Sequence, residues 1–445
     1  MKFLRQTGYN VLFFFTLVFL WPYFLYRLRK RGHILADFWE RLGFYPPALR
    51  RRLAGGCDLW IHAVSVGEVM LASVLINELR QLKPELRIVL SATTATGQKV
   101  AKKLQDERLT VVYNPIDFLW SVRQAYELFQ PKRLILIEAE IWPNYIWCAK
   151  RRHIPVYLVN ARLSQRTERR FRRARFFCKP VLEEVDLVFA QNDADVVRLT
   201  RTGFAAESIF NLGSLKYDVA NMPESNLSEV EAWWSRCGWN GKNVILMGGS
   251  THPGEEEILA GIFHELHLKS PELRLVLAPR HAERGNQVKA VCEALGITTV
   301  LRSDLTEPLS NGSRPQALIL NSTGELKALY PKAHLVFVGK SLCGHGGQNF
   351  IEATKLGTPT LVGPNMQNFL NQTAEFVKEG GLVQVNDEFE LAQKIRELLS
   401  SAELRSQLGK KGLQTFQKNL GAARKTAEVI SASLQSRSPK PASLS

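Results

Sequence analysis

Short apolar runs alternate along the chain with segments in which apolar residues recur every three or four positions. The short runs predict buried strands, and the three-to-four spacing predicts amphipathic helices. In the first half the predicted strands are 59–63, 87–92, 110–114, 134–138, 155–160 and 187–191, with helices that include 68–81, 96–104, 120–128 and 143–152. This alternation predicts a parallel sheet that helices cover on both faces.

A second series follows the polar interval N-M-P-E-S-N-L-S-E, with predicted strands 244–248, 273–278, 298–301, 317–320, 335–338, 360–362 and 382–384. A chain of 445 residues also exceeds what one core usually organises. We therefore predict an α/β protein of two Rossmann-like, doubly wound domains, 32–218 and 243–432, joined by a linker over 219–242. Such folds bind ligands at the carboxyl ends of their strands, so a cleft between the domains is the expected active site.

The two ends of the chain have different patterns. Residues 9–26 carry no charge, Lys2 and Arg5 precede them, and four basic residues follow between 27 and 31. The run is long enough to cross or deeply enter a bilayer, and the heavier positive flank predicts that the main body stays in the cytoplasm. No small-residue cleavage site of a signal peptide is present. Residues 1–31 are predicted to be a membrane anchor, in which Pro22 leaves both a full span and a monotopic insertion open, and 433–445 a disordered tail.

Charge indicates the kind of partner. Lysine and arginine outnumber the acids 58 to 42, which predicts an anionic partner. With an anchor present, an anionic membrane surface fits better than nucleic acid, whose aromatic-rich motifs do not occur. Eight basic residues between 162 and 179 are interleaved with Phe171, Phe176 and Phe177. This run suits lipid phosphates and acyl chains, although a solvated basic helix explains it equally well. The six cysteines form no close pair, so neither a zinc site nor a disulfide framework is predicted.

Acidic residues mark the candidate site of the first domain. In W-I-H-A-V-S-V-G-E, Glu68 stands where a strand turns into a helix. A capping box with Ser65 is the common explanation of such an acid, but α/β enzymes also place catalytic groups at this kind of turn. Glu138 and Glu140 follow another strand in I-E-A-E-I-W-P-N.

The second domain has three candidate positions at strand ends. Ser250 and Thr251 follow G-G and can meet an anion or cap the next helix, and Arg280 with His281 ends the next strand. The loop C-G-H-G-G-Q-N-F-I-E contains Gly346, Gly347, Asn349 and Glu352, which suit a phosphate and ribose hydroxyls. No P-loop motif occurs. The Asp-x-Asp at 193–195 is better explained by helix capping than by metal binding, so no metal is predicted.

Eight of these segments together resemble the Kdo transferases, the 3-deoxy-D-manno-octulosonic acid transferases of lipopolysaccharide assembly. They are H-A-V-S-V-G-E, E-A-E-I-W-P-N, N-A-R-L-S, G-S-T-H-P-G-E-E, A-P-R-H-A-E-R, S-T-G-E-L-K-A-L-Y, G-K-S-L and G-G-Q-N-F-I-E-A, in the order of the family. The resemblance implies a GT-B glycosyltransferase fold, CMP-Kdo as donor, a phosphorylated lipid A precursor (lipid IVA) as acceptor and a place at the inner membrane. Lys340 and Gln348 differ from forms frequent in the family, which are glycine and histidine.

The resemblance also implies roles for the candidate residues. Glu68 corresponds to the family's general base. The donor-site candidates are Ser250, Thr251, Arg280, His281, Gly346, Gly347, Asn349 and Glu352. Glu138 and Glu140 are expected to organise the acceptor pocket, and Arg162 to bind acceptor phosphate or donor carboxylate. Inverting transfer from CMP needs one base and no cofactor. Two alternatives remain at this point: a membrane-associated GT-B transferase that uses a UDP-sugar, and a non-catalytic, membrane-tethered nucleotide-binding protein.

Overall fold

The computed structural model describes residues 2–29, 35–222, 227–307 and 314–435. The described chain forms two compact units, the first made of residues up to 219 together with those from 421 onward, the second of residues 220–420. Each unit contains one parallel sheet of seven strands. The predicted α/β class with two doubly wound domains is therefore confirmed.

The strands of the first unit follow one another as the apolar runs predict. They are β1 (Cys57–Ala63), β2 (Ile88–Ala92), β3 (Leu109–Tyr113), β4 (Pro131–Ile137), β5 (Val156–Ala161), β6 (Leu187–Ala190) and β7 (Ile209–Asn211), in the spatial order β3-β2-β1-β4-β5-β6-β7. The short edge strand β7 was not predicted, because three residues with partial burial carry no clear apolar run.

Helices connect these strands and cover the sheet. They are α1 (Lys2–Arg29), α2 (Leu35–Arg41), α3 (Pro47–Arg52), α4 (Val66–Leu82), α5 (Ala95–Lys102), α6 (Leu119–Phe129), α7 (Pro143–Arg151), α8 (Gln165–Arg173), α9 (Arg175–Leu182), α10 (Asp193–Thr202) and α11 (Leu215–Ala220). On one face an aromatic cluster fills the core, with the Trp60 ring 5.0 Å from those of Tyr126, Phe129 and Tyr145. Burial of such large side chains is the main stabilising contribution to the unit.

The second unit repeats the plan. Its strands are β8 (Val244–Thr251), β9 (Leu273–Pro279), β10 (Thr299–Leu301), β11 (Ala317–Ile319), β12 (Leu335–Val338), β13 (Thr360–Val362) and β14 (Val383–Gln384), in the order β10-β11-β9-β8-β12-β13-β14. All seven predicted strands are confirmed. Its helices are α12 (Leu227–Trp234), α13 (Glu255–His267), α14 (Gly285–Ala294), α15 (Leu326–Leu329), α16 (Ile351–Thr354), α17 (Leu370–Lys378), α18 (Glu388–Ser400) and α19 (Ala402–Lys418).

Helix α1 contains the uncharged run, and its first turns pack on the rest of the first unit through partly buried polar contacts. The Tyr9 hydroxyl donates to Asp117 at 2.7 Å, and the side-chain amides of Asn10 and Asn144 donate to each other at 3.1 and 3.0 Å. Among the helices of the described residues, none combines the length and the apolar character needed to cross a bilayer. Residues 1, 30 and 31 of the predicted anchor lie outside the described chain.

The last helix, α20 (Ala422–Gln435), belongs to the first unit although the sequence series places it in the second. It packs along α4, and Asp218 accepts from the N–H groups of Gly421 at 2.8 Å and Ala423 at 2.9 Å. Apolar periodicity predicts a helix but does not show which sheet it covers, so this difference could not be foreseen. The helix also includes 433–435 of the predicted tail, and 436–445 lie outside the described residues.

Candidate active site

Each sheet has one point at which the chain connections leave in opposite directions. In the first unit this switch point lies between β1 and β4, and such points are where open α/β sheets bind their ligands. Glu68 lies in the first turn of α4, directly after β1, and Glu138 and Glu140 follow β4. The topology therefore brings these three acids to the same edge of the sheet.

Ser65 and Glu68 fix the turn after β1. The Ser65 hydroxyl accepts the N–H of Glu68 at 3.4 Å and donates to its Oε1 at 3.1 Å. The other carboxylate oxygen accepts from the backbone N–H of Val64 at 2.7 Å. The predicted cap at Ser65 is confirmed, but the carboxylate reaches back one residue further than in a standard capping box. The side chain is thus held rigidly while part of its surface stays open.

Burial and like charge raise the pKa of two of these acids, Glu68 and Glu140. Burial is the largest cause that raises the pKa of Glu68, to about 7, and the nearby charges of Glu140 and Glu138 add to it against the opposing hydrogen bonds. Burial also raises the pKa of Glu140, and Glu138 raises it further. A carboxylate with a pKa near the working pH is suited to accept a proton from a substrate.

The conformation of Glu138 is unusual for a residue with a side chain, since its φ is +60°. Its N–H donates to Val159 O at 2.9 Å, and Lys216 Nζ lies 3.9 Å from its Oε1. Burial lowers the pKa of Lys216 to about 8, and the charge of Glu138 opposes that shift. Backbone strain of this kind clusters at functional sites. Lys216 was missed in the sequence, because it lies in α11, far along the chain.

Asn160 of N-A-R-L-S organises this edge from β5. It is completely buried with φ +56°, and its Oδ1 accepts the N–H of Leu215 at 3.0 Å. Arg162 follows it, half-buried, and its charge is close enough to lower the pKa of Lys216 and to oppose the raised pKa of Asp195. Arg162 thus contributes positive charge close to Lys216 and Asp195, and its binding of an anion stays a prediction.

The Asp-x-Asp acids serve the structure of α10. Asn192 caps this helix by accepting the N–H of Asp195 at 2.9 Å, and the buried carboxylate of Asp195 pairs with Arg198 at 3.1 Å. Across the described residues, no three histidine, cysteine or acidic side chains are grouped as metal ligands would be.

In the second unit the switch point lies between β8 and β12. Its centre is Glu255, the first residue of α13, which is completely buried. Five backbone N–H groups donate to its carboxylate, from His252, Lys340, Ser341, Leu342 and Cys343, at 2.8–3.4 Å. A Cβ on Gly339 would lie 2.5 Å from the carboxylate, so only glycine fits there. Sequence reasoning missed Glu255, whose position in G-E-E-E suggests a simple helix-start acid.

Four of the predicted donor residues lie at the carboxyl ends of β8 and β9, next to this switch point. Ser250 is left-handed with φ +53°. Thr251 is completely buried, and its hydroxyl has no hydrogen-bond partner in the described chain. Arg280 is exposed, and its backbone N–H donates to Thr251 O at 3.0 Å, so this bond does not involve the guanidinium. His281 is also exposed, and its Nδ1 lies 3.5 Å from Glu283 Oε1. The guanidinium of Arg280 is therefore open to an anion.

The glycine loop is organised differently from the prediction. The N–H of Gly346 donates to Gln367 Oε1 at 2.7 Å and that of Gly347 to Lys340 O at 3.1 Å, so neither amide is open to a phosphate in this conformation. Both glycines have positive φ, which explains the residue type. Lys340 also has a positive φ, +57°, which accounts for the glycine that is frequent there in the family.

Asn349 and Glu352 form a connected pair beside this loop. The Asn349 amide donates to Glu352 Oε1 at 3.1 Å, and Lys327 Nζ lies 2.9 Å from the same oxygen. Lys327 comes from the segment S-T-G-E-L-K-A-L-Y, so two of the recognised segments meet here. The helix that carries Glu352, α16, has only four residues, shorter than the glycine loop pattern suggests.

Comparison with known proteins agrees with this arrangement. Residues 36–219 match the family model of 3-deoxy-D-manno-octulosonic-acid transferase (kdotransferase), and 312–415 match glycosyl transferases group 1. The 3-deoxy-D-manno-octulosonic acid transferase of Haemophilus influenzae is 32% identical over 392 residues, which cover 88% of this chain and 90% of the relative. The chain belongs to the Kdo transferase family. The corresponding transferase of Bordetella pertussis is 29% identical over 93% of this chain and 95% of its own.

This Kdo transferase is a glycosyltransferase, and its two parallel-sheet units are consistent with the GT-B fold. A solved UDP-GlcNAc 2-epimerase from Neisseria meningitidis shares the fold, with a TM-score of 0.59 at 15% identity over 83% of this chain and 98% of the epimerase. The recognised segments of the Kdo transferase follow the carboxyl ends of strands within each unit. H-A-V-S-V-G-E and E-A-E-I-W-P-N adjoin the switch point of the first unit, and G-S-T-H-P-G-E-E and G-K-S-L adjoin that of the second.

Proposed function

We propose that this Kdo transferase moves Kdo from CMP-Kdo to a phosphorylated lipid A precursor, lipid IVA, with inversion, and that Glu68 is the general base. The observation that carries the proposal is the half-buried carboxylate of Glu68 at the switch point of the first unit, with a pKa near 7. Such a group can remove the proton of an acceptor hydroxyl as its oxygen attacks the anomeric carbon.

The other residues have supporting roles in this proposal. Glu138 and Glu140 orient the acceptor and raise the basicity of Glu68. Arg162 binds the acceptor phosphate or the donor carboxylate. In the second unit the donor-site residues are Ser250, Thr251, Arg280, His281, Gly346, Gly347, Asn349 and Glu352, of which Arg280 offers an open guanidinium to the CMP phosphate.

The proposal includes a place at the membrane. The acceptor is a lipid, and residues 1–31 combine an uncharged run with basic flanks. We propose that this segment holds the protein at the inner membrane, with both units on the cytoplasmic side, where an anionic surface attracts the basic chain. A transferase that uses a UDP-sugar remains the second candidate only on the ground of shared fold.

The test is transfer from freshly prepared CMP-Kdo to lipid IVA, with products counted by mass. Glu68→Gln keeps the shape of the side chain and an oxygen that can accept the Val64 N–H. The variant is therefore expected to fold, with kcat reduced by a factor of about 10²–10⁴. In the wild type, kcat/KM is expected to rise with pH up to about 7 and then level off, because the base must be deprotonated.

Glu107→Gln is the matched control, since Glu107 is an exposed acid of the same unit. Equal rates for the Glu68 and Glu107 variants would exclude Glu68 as the base. If the wild type transferred no sugar from CMP-Kdo but did transfer one from a UDP-sugar, the proposed donor would be wrong. Arg162→Ala belongs in the same series, and unchanged apparent affinities for both substrates would remove its proposed role.

A further inference from the structure

An apolar groove of about 810 Å³ lies in the first unit, outside the acidic cluster. Helix α1 forms one wall, the start of α7 the second, and α8 with α9 the third. We call it the aromatic groove; the residues used below are Gly8, Leu12, Trp142, Trp147, Phe171 and Phe177. Its volume falls within the range of about 300–1,000 Å³ that is usual for small-molecule sites.

One end of the aromatic groove reaches the acidic cluster. Trp142 lines the groove, and its indole N–H donates to Glu140 Oε2 at 2.8 Å. A molecule in the groove is therefore separated by a single side chain from a carboxylate beside Glu68. This connection distinguishes the groove from an ordinary surface depression.

The interior of the aromatic groove is apolar, and one cationic side chain, Arg5, is among the residues that line it. The Arg5 guanidinium lies 4.7 Å from the ring centroid of Phe176. Helix α8 places Phe171 in the groove and turns its other face outward. That outer face carries four arginines around a separate depression, Arg166, Arg169, Arg170 and Arg173. The apolar interior suits a hydrocarbon chain, while Arg5 in the groove and the arginines on the outer face of α8 supply positive charge for a phosphate.

The aromatic side chains at the mouth are left uncovered. Phe176 and Phe177 are each 67% exposed, and Leu12 is 68% exposed. Apolar side chains clustered in the open at a groove indicate a binding surface more than a solvated one. The rings of Phe176 and Phe177 pack edge to face with their centroids 5.2 Å apart, so the mouth of the groove is formed without a ligand.

We propose that the aromatic groove binds one acyl chain of the acceptor and so directs the acceptor headgroup toward Glu140 and Glu68. This inference rests on the proposed function, because it requires an acylated, phosphorylated acceptor. The link through Trp142 favours the acceptor over bulk bilayer lipid, since lipid that only attaches the protein has no need of a path to the carboxylates.

Gly8 offers a clean way to block the groove. It lies on the groove wall in α1, and a Cβ built there meets nothing within 4 Å. A Cβ at Gly8 therefore meets no clash, and we expect the indole of Gly8→Trp to occupy part of the groove; the substitution also replaces a poor helix former. Gly261→Trp is the matched control, because Gly261 lies in α13, is exposed, and also has nothing within 4 Å.

The measurement is kcat/KM in detergent for two acceptors, lipid IVA and its fully deacylated, phosphorylated disaccharide. The affinity of a ligand falls by up to about fourfold for each methylene group that is prevented from entering an apolar site. We expect Gly8→Trp to reduce the preference for the acylated acceptor by about tenfold or more, mainly through KM, and Gly261→Trp to leave that preference at the wild-type value. In the wild type, shortening the acyl chains should reduce the preference stepwise.

Three results would overturn the inference. One is an unchanged preference in Gly8→Trp. Another is a loss of binding of Gly8→Trp to phosphatidylglycerol vesicles as large as its loss of preference for the acylated acceptor, which would assign the groove to bulk lipid. The third is a wild-type dimer, by sedimentation velocity, that Gly8→Trp abolishes, which would assign it to a second copy of the chain. Transfer by the wild type to neither acceptor would instead contradict the proposed function itself, and binding of the two acceptors without donor would then decide the groove alone.

Discussion

Replacing Glu255 with glutamine tests how the second unit holds the loop after β12. Glu255 is completely buried, and its two carboxylate oxygens divide the five N–H donors between them. Oε2 accepts from His252 at 2.9 Å and Lys340 at 2.8 Å. Oε1 accepts from the three residues that follow Lys340 in the chain. Glutamine has the same shape but replaces one acceptor oxygen with an NH₂ group that can only donate.

The cost can be worked out from these contacts. If the glutamine oxygen keeps the three donors on the Oε1 side, the N–H groups of His252 and Lys340 face an amide that cannot accept. A buried donor left without an acceptor costs about 1–3 kcal/mol. The two together give about 2–6 kcal/mol, a large share of a typical domain stability of about 5–15 kcal/mol.

Hydrogen exchange followed by mass spectrometry measures this cost locally, so it does not require that a two-unit protein unfold in one step. We expect the peptide that contains Lys340 and Ser341 to exchange at least about thirtyfold faster in Glu255→Gln, since 1.4 kcal/mol corresponds to a factor of ten. Glu257→Gln is the control, because Glu257 is exposed and, among the described residues, accepts a single hydrogen bond, from the N–H of Gly254. Equal exchange in the two variants would refute the claim that the Glu255 carboxylate holds the loop.

Two further predictions concern strain and charge in the first unit. Burial raises the pKa of Asp117 to about 7. Between about pH 4 and 7 the folded state therefore keeps a proton that the unfolded state has released, so stability falls as pH rises through this window. Asp117→Asn should make the pH dependence of Tm flatter, and an unchanged slope would contradict this. Glu138→Gly should remove the strain of the left-handed backbone, about 1–2 kcal/mol, partly offset by the greater chain entropy of glycine. In urea its unfolding midpoint should therefore be no lower than that of Glu138→Ala, although both variants lose activity. A clearly less stable glycine variant would show that the backbone there is not strained.

Local signals made much of this structure predictable. Buried parallel strands are continuous apolar runs, so their positions and order along the chain follow directly from the sequence. The cap at Ser65 was also predictable, because the hydroxyl and the acid that serve each other are three residues apart. Glu138 and Glu140 could be assigned to the edge of the sheet for the same reason, since they follow a strand immediately.

Contacts between distant parts of the chain were not predictable. Lys216 approaches Glu138 only because α11 returns to the sheet, and Asp117 meets Tyr9 across 108 positions. The hydrogen bonds of the glycine loop were not predictable for a related reason: Gln367, 21 positions further along the chain, accepts the N–H of Gly346. In each case the partner is chosen by the fold, and no spacing in the sequence announces it.

Two acids that look alike in the sequence thus have opposite uses, and the number of their donors decides which is which. Glu68 and Glu255 both lie in the first turn of the helix that follows the first strand of their unit. A carboxylate offers about four lone-pair sites, and five N–H groups around Glu255 leave none for a substrate proton. Within the described part of the chain, Glu68 accepts from the Val64 N–H and the Ser65 hydroxyl alone, and two neighbouring acids raise its pKa. Glu255 is therefore bound to a structural role, whereas Glu68 keeps the capacity to accept a proton that its proposed chemistry requires.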